Sequence, residues 1–152
     1  MTGNAAFSLS RTYAAPPERV FAAWSDADLM RRWACPDDTQ VVSLCEVDAR
    51  PGGGYHITFG PAPDGDAYDE VATYDVYEPY SRIVLSVGLV GGGMDEHTTA
   101  TLEITPVPGG ARLDLRNEGL SSQQAADGHL EGWTWALGSI ERILLEDAAL
   151  RT

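Results

Sequence analysis

Leu130, Trp133, Leu137, Ile140 and Leu144 recur at steps of three and four, which places them on one face of a C-terminal helix. A helix with one apolar face must bury it against another element, and here the other candidate elements are strands. Ser121-Ser122-Gln123-Gln124 precedes the stripe and reads as a capping box, serine with glutamine three residues later. The spacing predicts a helix from about Ser122 to Ala149, roughly 40 Å long at ~1.5 Å per residue. Gly128, Gly132 and Gly138 interrupt it, each costing about 1 kcal/mol against alanine. They admit either close packing on a sheet or a bend.

Upstream, the period changes from helical to two. Phe7, Leu9, Arg11 and Tyr13 alternate with Ser8, Ser10 and Thr12 in a first strand. Pro16-Pro17 ends it and opens a short helix carrying Val20, Phe21 and Trp24. Ser25-Asp26-Ala27-Asp28 caps a second short helix with Leu29, Met30 and Trp33, closed by Pro36-Asp37-Asp38. Strands follow at Val41 to Val47, Tyr55 to Phe59, Val71 to Tyr77, Ile83 to Leu89, Ala100 to Ile104 and around Leu113 and Leu115. Turns at 50–54, 60–66, 78–79, 91–93 and 106–110 separate them. The order is strand, two short helices, a run of strands, long helix. That order predicts an α+β fold in which a curved antiparallel sheet of about six or seven strands grips the last helix. Such a sheet is wider than one helix can cover, so an apolar cavity is expected between them.

The chain has 152 residues, 43% of them hydrophobic, and is expected to form one domain over 1–152. Its net charge is -13, and all ten basic residues are arginine. So acidic a surface repels nucleic acid and anionic lipid. Arg31-Arg32 reads as a solvated helix face. Cys35 and Cys45 lack the spacing of a metal site or a redox pair and read as reduced thiols. No leader pattern and no apolar run of ~20 residues is visible, so a cytoplasmic location without membrane association is expected.

Several segments together resemble bacterial homologues of the heat-shock protein 90 ATPase activator. The opening Arg11-Thr12-Tyr13-Ala14-Ala15-Pro16-Pro17-Glu18-Arg19-Val20-Phe21, followed by Ala23-Trp24, is similar to theirs. So are Trp33, the turn Asp48-Ala49-Arg50-Pro51-Gly52-Gly53, the hairpin Tyr74 to Pro79 with Arg82 to Leu85, and Gly132-Trp133. The matches run from about Arg11 to Leu145. The resemblance implies the START-related, birch-pollen-allergen-like helix-grip superfamily, called SRPBCC, whose members bind lipids, polyketides, hormones and other apolar molecules. Some members are cyclases, dehydratases or hydrolases. The eukaryotic activator adds a second domain that stimulates the chaperone, and this chain is expected to hold only the first. Val87 stands where many members carry an aromatic residue.

Chemistry-bearing residues are sparse. His56, His97 and His129 have no partner at metal-ligand spacing, and each reads as structural or solvated. Asp64-Gly65-Asp66 with Asp69-Glu70 lacks the spacing of a calcium loop and reads as a solvated turn. No catalytic residue, metal or other cofactor is expected. Alternation and helical spacing instead nominate a ligand cavity. Tyr55, Ile57 and Phe59 should form one wall, Tyr74 and Val76 a second, and Leu85 and Val87 a third. Trp33 should join them, and Trp133, Leu137 and Ile140 should face them from the helix.

Three functions follow as expectations. The first is binding of a small apolar or amphipathic molecule. The second is an enzyme acting on such a molecule, cyclase- or dehydratase-like. The third is a chaperone-associated interaction domain. A monomer and a homodimer are both open. The pocket discriminates between the three: a paired acid and base in it favours the enzyme, and a filled core with an exposed apolar patch favours the interaction domain.

Overall fold

The computed structural model describes residues 3–34 and 39–150. In chain order the elements are β1 (Ala5–Tyr13), α1 (Pro17–Ala22), α2 (Ala27–Trp33), β2 (Gln40–Asp48), β3 (Gly54–Pro61), β4 (Tyr68–Glu78), β5 (Arg82–Gly91), β6 (Met94–Val107), β7 (Gly110–Leu120) and α3 (Gln123–Leu150). The strands form one seven-stranded sheet in the order β1-β7-β6-β5-β4-β3-β2, every pair antiparallel. Each hairpin joins sequence neighbours except the β1–β7 pair, which brings the two ends of the run together beneath α3. The expected α+β helix-grip architecture is therefore present. Cys35 and the segment Pro36 to Asp38 lie outside the described residues; Cys45 is a free, buried thiol. No helix among the described residues is long and apolar enough to cross a membrane.

Local chemistry sets the helix boundaries. Asp26 caps α2, its side chain accepting from the backbone N–H of Asp28 at 2.9 Å and of Leu29 at 3.3 Å. For α3 the cap is Ser122, whose Oγ accepts from Ala125 N at 3.0 Å, one residue later than the box placed it. Ser121 is occupied elsewhere. Its N–H and hydroxyl both donate to Glu96, at 2.9 and 2.5 Å, and tie the entry of α3 to β6.

The second half of α3 closes the core. Leu137, Ile140, Ile143 and Leu144 are buried with Tyr13, Ile83, Leu102 and Leu113. The Tyr13 hydroxyl donates to the Leu137 carbonyl at 3.0 Å, and Arg11 pairs with Glu141 at 3.0 Å. Asp147 takes Arg19 at 3.1 Å and Arg32 at 3.2 Å, so one of the two arginines read as a solvated pair is a tether to α3. Helix α3 thus packs on β1, β7 and α2. The inner faces of β3 to β6 lie across from its first half.

Two bulges reset which residues face inward. In β4 the register shifts between Tyr74 and Val76, so Tyr74 opposes Leu85 while Tyr77 opposes Ile83. Beyond Asp75 the faces exchange. Tyr77 turns in, its ring 5.2 Å from those of Tyr74 and Phe21, and Val76 opposes Val84 on the outer face. In β2 a similar shift near Ser43 keeps Val42 and Cys45 on the inner side.

Candidate ligand cavity

A cavity of about 530 Å3 lies between the first half of α3 and one end of the sheet. Its sheet wall uses the end of β3 (Phe59), the start of β4 (Tyr68, Glu70), the end of β5 (Leu89) and the start of β6 (Met94, Glu96). The helix wall repeats at helical spacing through Ala125, Gly128, His129, Gly132, Trp133 and Ala136. Trp33, Ala34 and Gln40 close one side. All these strand positions sit at the same end of the sheet. The opposite end is filled by Phe21, Ile83, Ile104 and Leu113 beneath α1.

Of the expected cavity residues, Trp33, Phe59 and Trp133 line this space. Tyr55, Ile57, Tyr74, Leu85, Leu137 and Ile140 are instead in the close-packed core, none more than 4% exposed. They share the inner face but sit farther along it, where α3 presses on the sheet. Val87 packs against the core edge next to Leu89, and Val76 faces away because of the β4 bulge. The Tyr74 hydroxyl donates to the Trp24 carbonyl at 2.6 Å, a structural role.

The wall also has a polar part. Composition predicts a solvated acidic turn around Glu70, but β4 begins at Tyr68, and alternation then puts Tyr68, Glu70, Ala72 and Tyr74 on the inner face. The Tyr55 hydroxyl donates to Glu70 Oε2 at 2.7 Å. Burial pushes the Glu70 carboxyl above the usual carboxylate range, and the bond from Tyr55 offsets only part of that. Tyr55 is pushed well up, by burial first and then by the carboxylate beside it. His129, which the sequence alone marks as structural or solvated, stands one turn before Trp133 in the helix wall. Its Nδ1–H donates to the Ala125 carbonyl at 3.0 Å, which leaves Nε2 as an acceptor in the neutral ring. Burial lowers its pKa, against smaller upward pulls from Ala125 and Glu96. For Glu96 burial acts upward, but the two hydrogen bonds from Ser121 outweigh it and hold the carboxyl below its ordinary value. His56 and His97 lie outside the cavity, each 2.8 Å from an exposed aspartate, Asp69 and Asp95 respectively. Among the described residues no three His, Cys, Asp or Glu side chains converge as a metal site.

The Glu70 environment gives a pH signature. With a folded pKa above the unfolded one, the folded state keeps a proton over a window in which the unfolded chain has lost it. Glu70 therefore contributes most to stability below that window, and the contribution falls as pH rises through it. In Glu70→Gln that fall is absent. Urea unfolding from about pH 4 to pH 7 should show the variant gaining stability relative to wild type as pH rises. A constant difference across that range would mean the carboxyl is not desolvated in the cavity.

An antiparallel sheet gripping a C-terminal helix over an aromatic-walled cavity defines a helix-grip domain of the SRPBCC type. The chain belongs to the family described as activator of Hsp90 ATPase homolog 1-like protein, whose profile matches residues 14–145. A solved structure from Chromobacterium violaceum is 27% identical, covering 91% of this chain and 96% of that one, with a TM-score of 0.80. An uncharacterized protein from Rhizobium leguminosarum is 23% identical over 96% of this chain and 97% of its own, at a TM-score of 0.81. The AHSA1 protein of Silicibacter pomeroyi is 23% identical, covers 94% and 99%, and superposes at 0.77. At 23% identity the last two establish the shared fold alone. No curated protein matches the chain.

Proposed function

We propose that this protein binds a small apolar or amphipathic molecule in the cavity between α3 and the sheet. The observation that carries the proposal is the cavity itself. Its volume of about 530 Å3 falls in the range of small-molecule sites, and aromatic rings from four elements, with a few polar groups, form its wall. Each Å2 of apolar ligand surface removed from water gains about 25 cal/mol. Native mass spectrometry of protein purified from its own host should reveal a bound molecule. Titration with an apolar fluorescent probe measures the same site in the empty protein. Leu85→Trp serves as the control: it overpacks the core at a cost of roughly 1–3 kcal/mol and leaves probe affinity alone, because Leu85 is fully buried away from the cavity. A probe that does not bind wild type, with no ligand mass from the host, would sink the proposal.

A second reading has its own support. Glu70 from the sheet and His129 from the helix face one cavity, and burial favours the uncharged form of each, raising the carboxyl and lowering the imidazole, so a protonated acid and a neutral base share it. That is the arrangement an acid–base enzyme needs. Two host-derived ligands related by loss of water, or two isomers of one mass that separate chromatographically into an open and a cyclic form, would favour it over simple binding.

A further inference from the structure

We infer that the molecule held in this cavity carries a protonated amine beside its apolar body, an inference that rests on the cavity being a ligand site. The wall holds neutral donors at Tyr68, Ser122 and Gln124, but its acidic side chains meet no fixed positive charge there. Glu70 and Glu96 bring two carboxyl groups into its wall, and no arginine lines it among the described residues. Tyr55 engages only Oε2 of Glu70, so Oε1 keeps its lone pairs for a donor. His129 commits its Nδ1 proton to Ala125 and is left with an accepting Nε2. Gln40 Oε1 is buried in the same wall with no hydrogen-bond partner among the described residues. A buried acceptor without a donor is costly, and a ligand that brings several N–H groups removes that cost.

Charge and ring chemistry point the same way. Burial disfavours the charged form of the Glu70 carboxyl, no arginine stands in the wall beside it, and a cationic ligand head supplies the counter-charge that favours ionisation. Trp33 and Trp133, with ring centroids 6.3 Å apart, both line the cavity, and aromatic rings attract a cation placed over their faces. The net charge of -13 raises the local concentration of cations around the whole molecule. A carboxylate-bearing ligand meets repulsion from each of these features.

The test is a matched series of phenylbutylamine, phenylbutanol and phenylbutyrate, titrated calorimetrically into the full chain at neutral pH. Body and length are constant, and only the head group changes. The amine should bind about tenfold or more tighter than the alcohol, and the carboxylate weakest. In Glu70→Gln or Glu96→Gln, each checked for folding by its thermal transition, the amine-to-alcohol ratio should drop by about threefold or more. An alcohol that binds as tightly as the amine, or a carboxylate that binds tightest, overturns the inference while the cavity stays a ligand site. A preference that survives in both folded variants also overturns it. If none of the three binds, the binding proposal fails first and takes this one with it.

Discussion

Gly128→Trp should lower affinity for an apolar probe by close to a hundredfold while leaving the protein folded. Gly128 lies on the α3 face that lines the cavity, and a Cβ built there meets nothing within 4 Å. The Cβ therefore displaces no neighbour, and the adjoining volume of about 530 Å3 is large enough to take an indole. If it takes the place of about 100 Å2 of buried ligand surface, the loss is about 2.5 kcal/mol of binding free energy. Stability should hold or rise slightly, because any ordinary side chain is better tolerated inside a helix than glycine. Probe titration and thermal unfolding on the same preparation separate the two quantities. Full affinity in a folded Gly128→Trp protein would place the ligand somewhere other than this cavity.

The architecture was legible because its signals are local and periodic. The stripe through Leu137 and Ile140 specifies a helix needing a sheet, and the run of alternating strands specifies the sheet. The cavity was legible only as a consequence of that geometry, and its position was not. Alternation says that Tyr55, Ile57, Leu85 and Phe59 share a face, but not how far along it α3 stays in contact. The packing of α3 on β1 and β7 decides that, and it buries Ile57 and Leu85 while leaving Phe59 on open volume. Val76 failed for a different reason. One inserted residue at the β4 bulge reverses every later side chain, and nothing in Tyr74-Asp75-Val76-Tyr77 announces it. Glu70 and His129 were within reach. Continuing the Tyr74 alternation backward passes through Ala72 to Glu70, and stepping back one turn from Trp133 reaches His129. Reading the acidic stretch as a loop by composition hid the first, and the lack of a sequence-adjacent partner hid the second.

The placement of Glu70, Glu96 and His129 decides what kind of pocket this is. A cavity walled by Tyr55, Leu85 and Ile140 would have been almost purely apolar. The observed one keeps aromatic walls at Trp33, Phe59 and Trp133 but adds two carboxylates and an imidazole. If the cavity holds a ligand as proposed, aromatic surface would set its size and apolar character, and the polar groups would select its head group. The entry of α3 belongs to the same design, because Glu96 both faces the cavity and holds Ser121 in place. A ligand that engages Glu96 acts on the residue that anchors the start of the gripping helix.

Trp33→Ala should be the most destabilising of the substitutions considered, at about 3–5 kcal/mol. Trp33 ends α2 and is 5% exposed. Its ring lies 5.4 Å from that of Trp24 and 6.3 Å from that of Trp133, so it links the core, the short helices and α3. Its Nε1–H donates to the Ala23 carbonyl at 2.8 Å, fixing the junction between α1 and α2. Alanine removes the ring packing and leaves that carbonyl without its donor. It also opens the existing cavity toward Trp24, and the surroundings cannot collapse into a space already bordered by open volume. For a chain of this size the melting temperature should fall by about 10 °C or more. Trp33→Phe separates the two contributions: it keeps most of the ring contact and loses the hydrogen bond, for about 1–3 kcal/mol. Should Trp33→Ala cost less than about 1 kcal/mol, the ring would be only a lid over the cavity, and the short helices would owe their placement to Trp24 and Met30 instead.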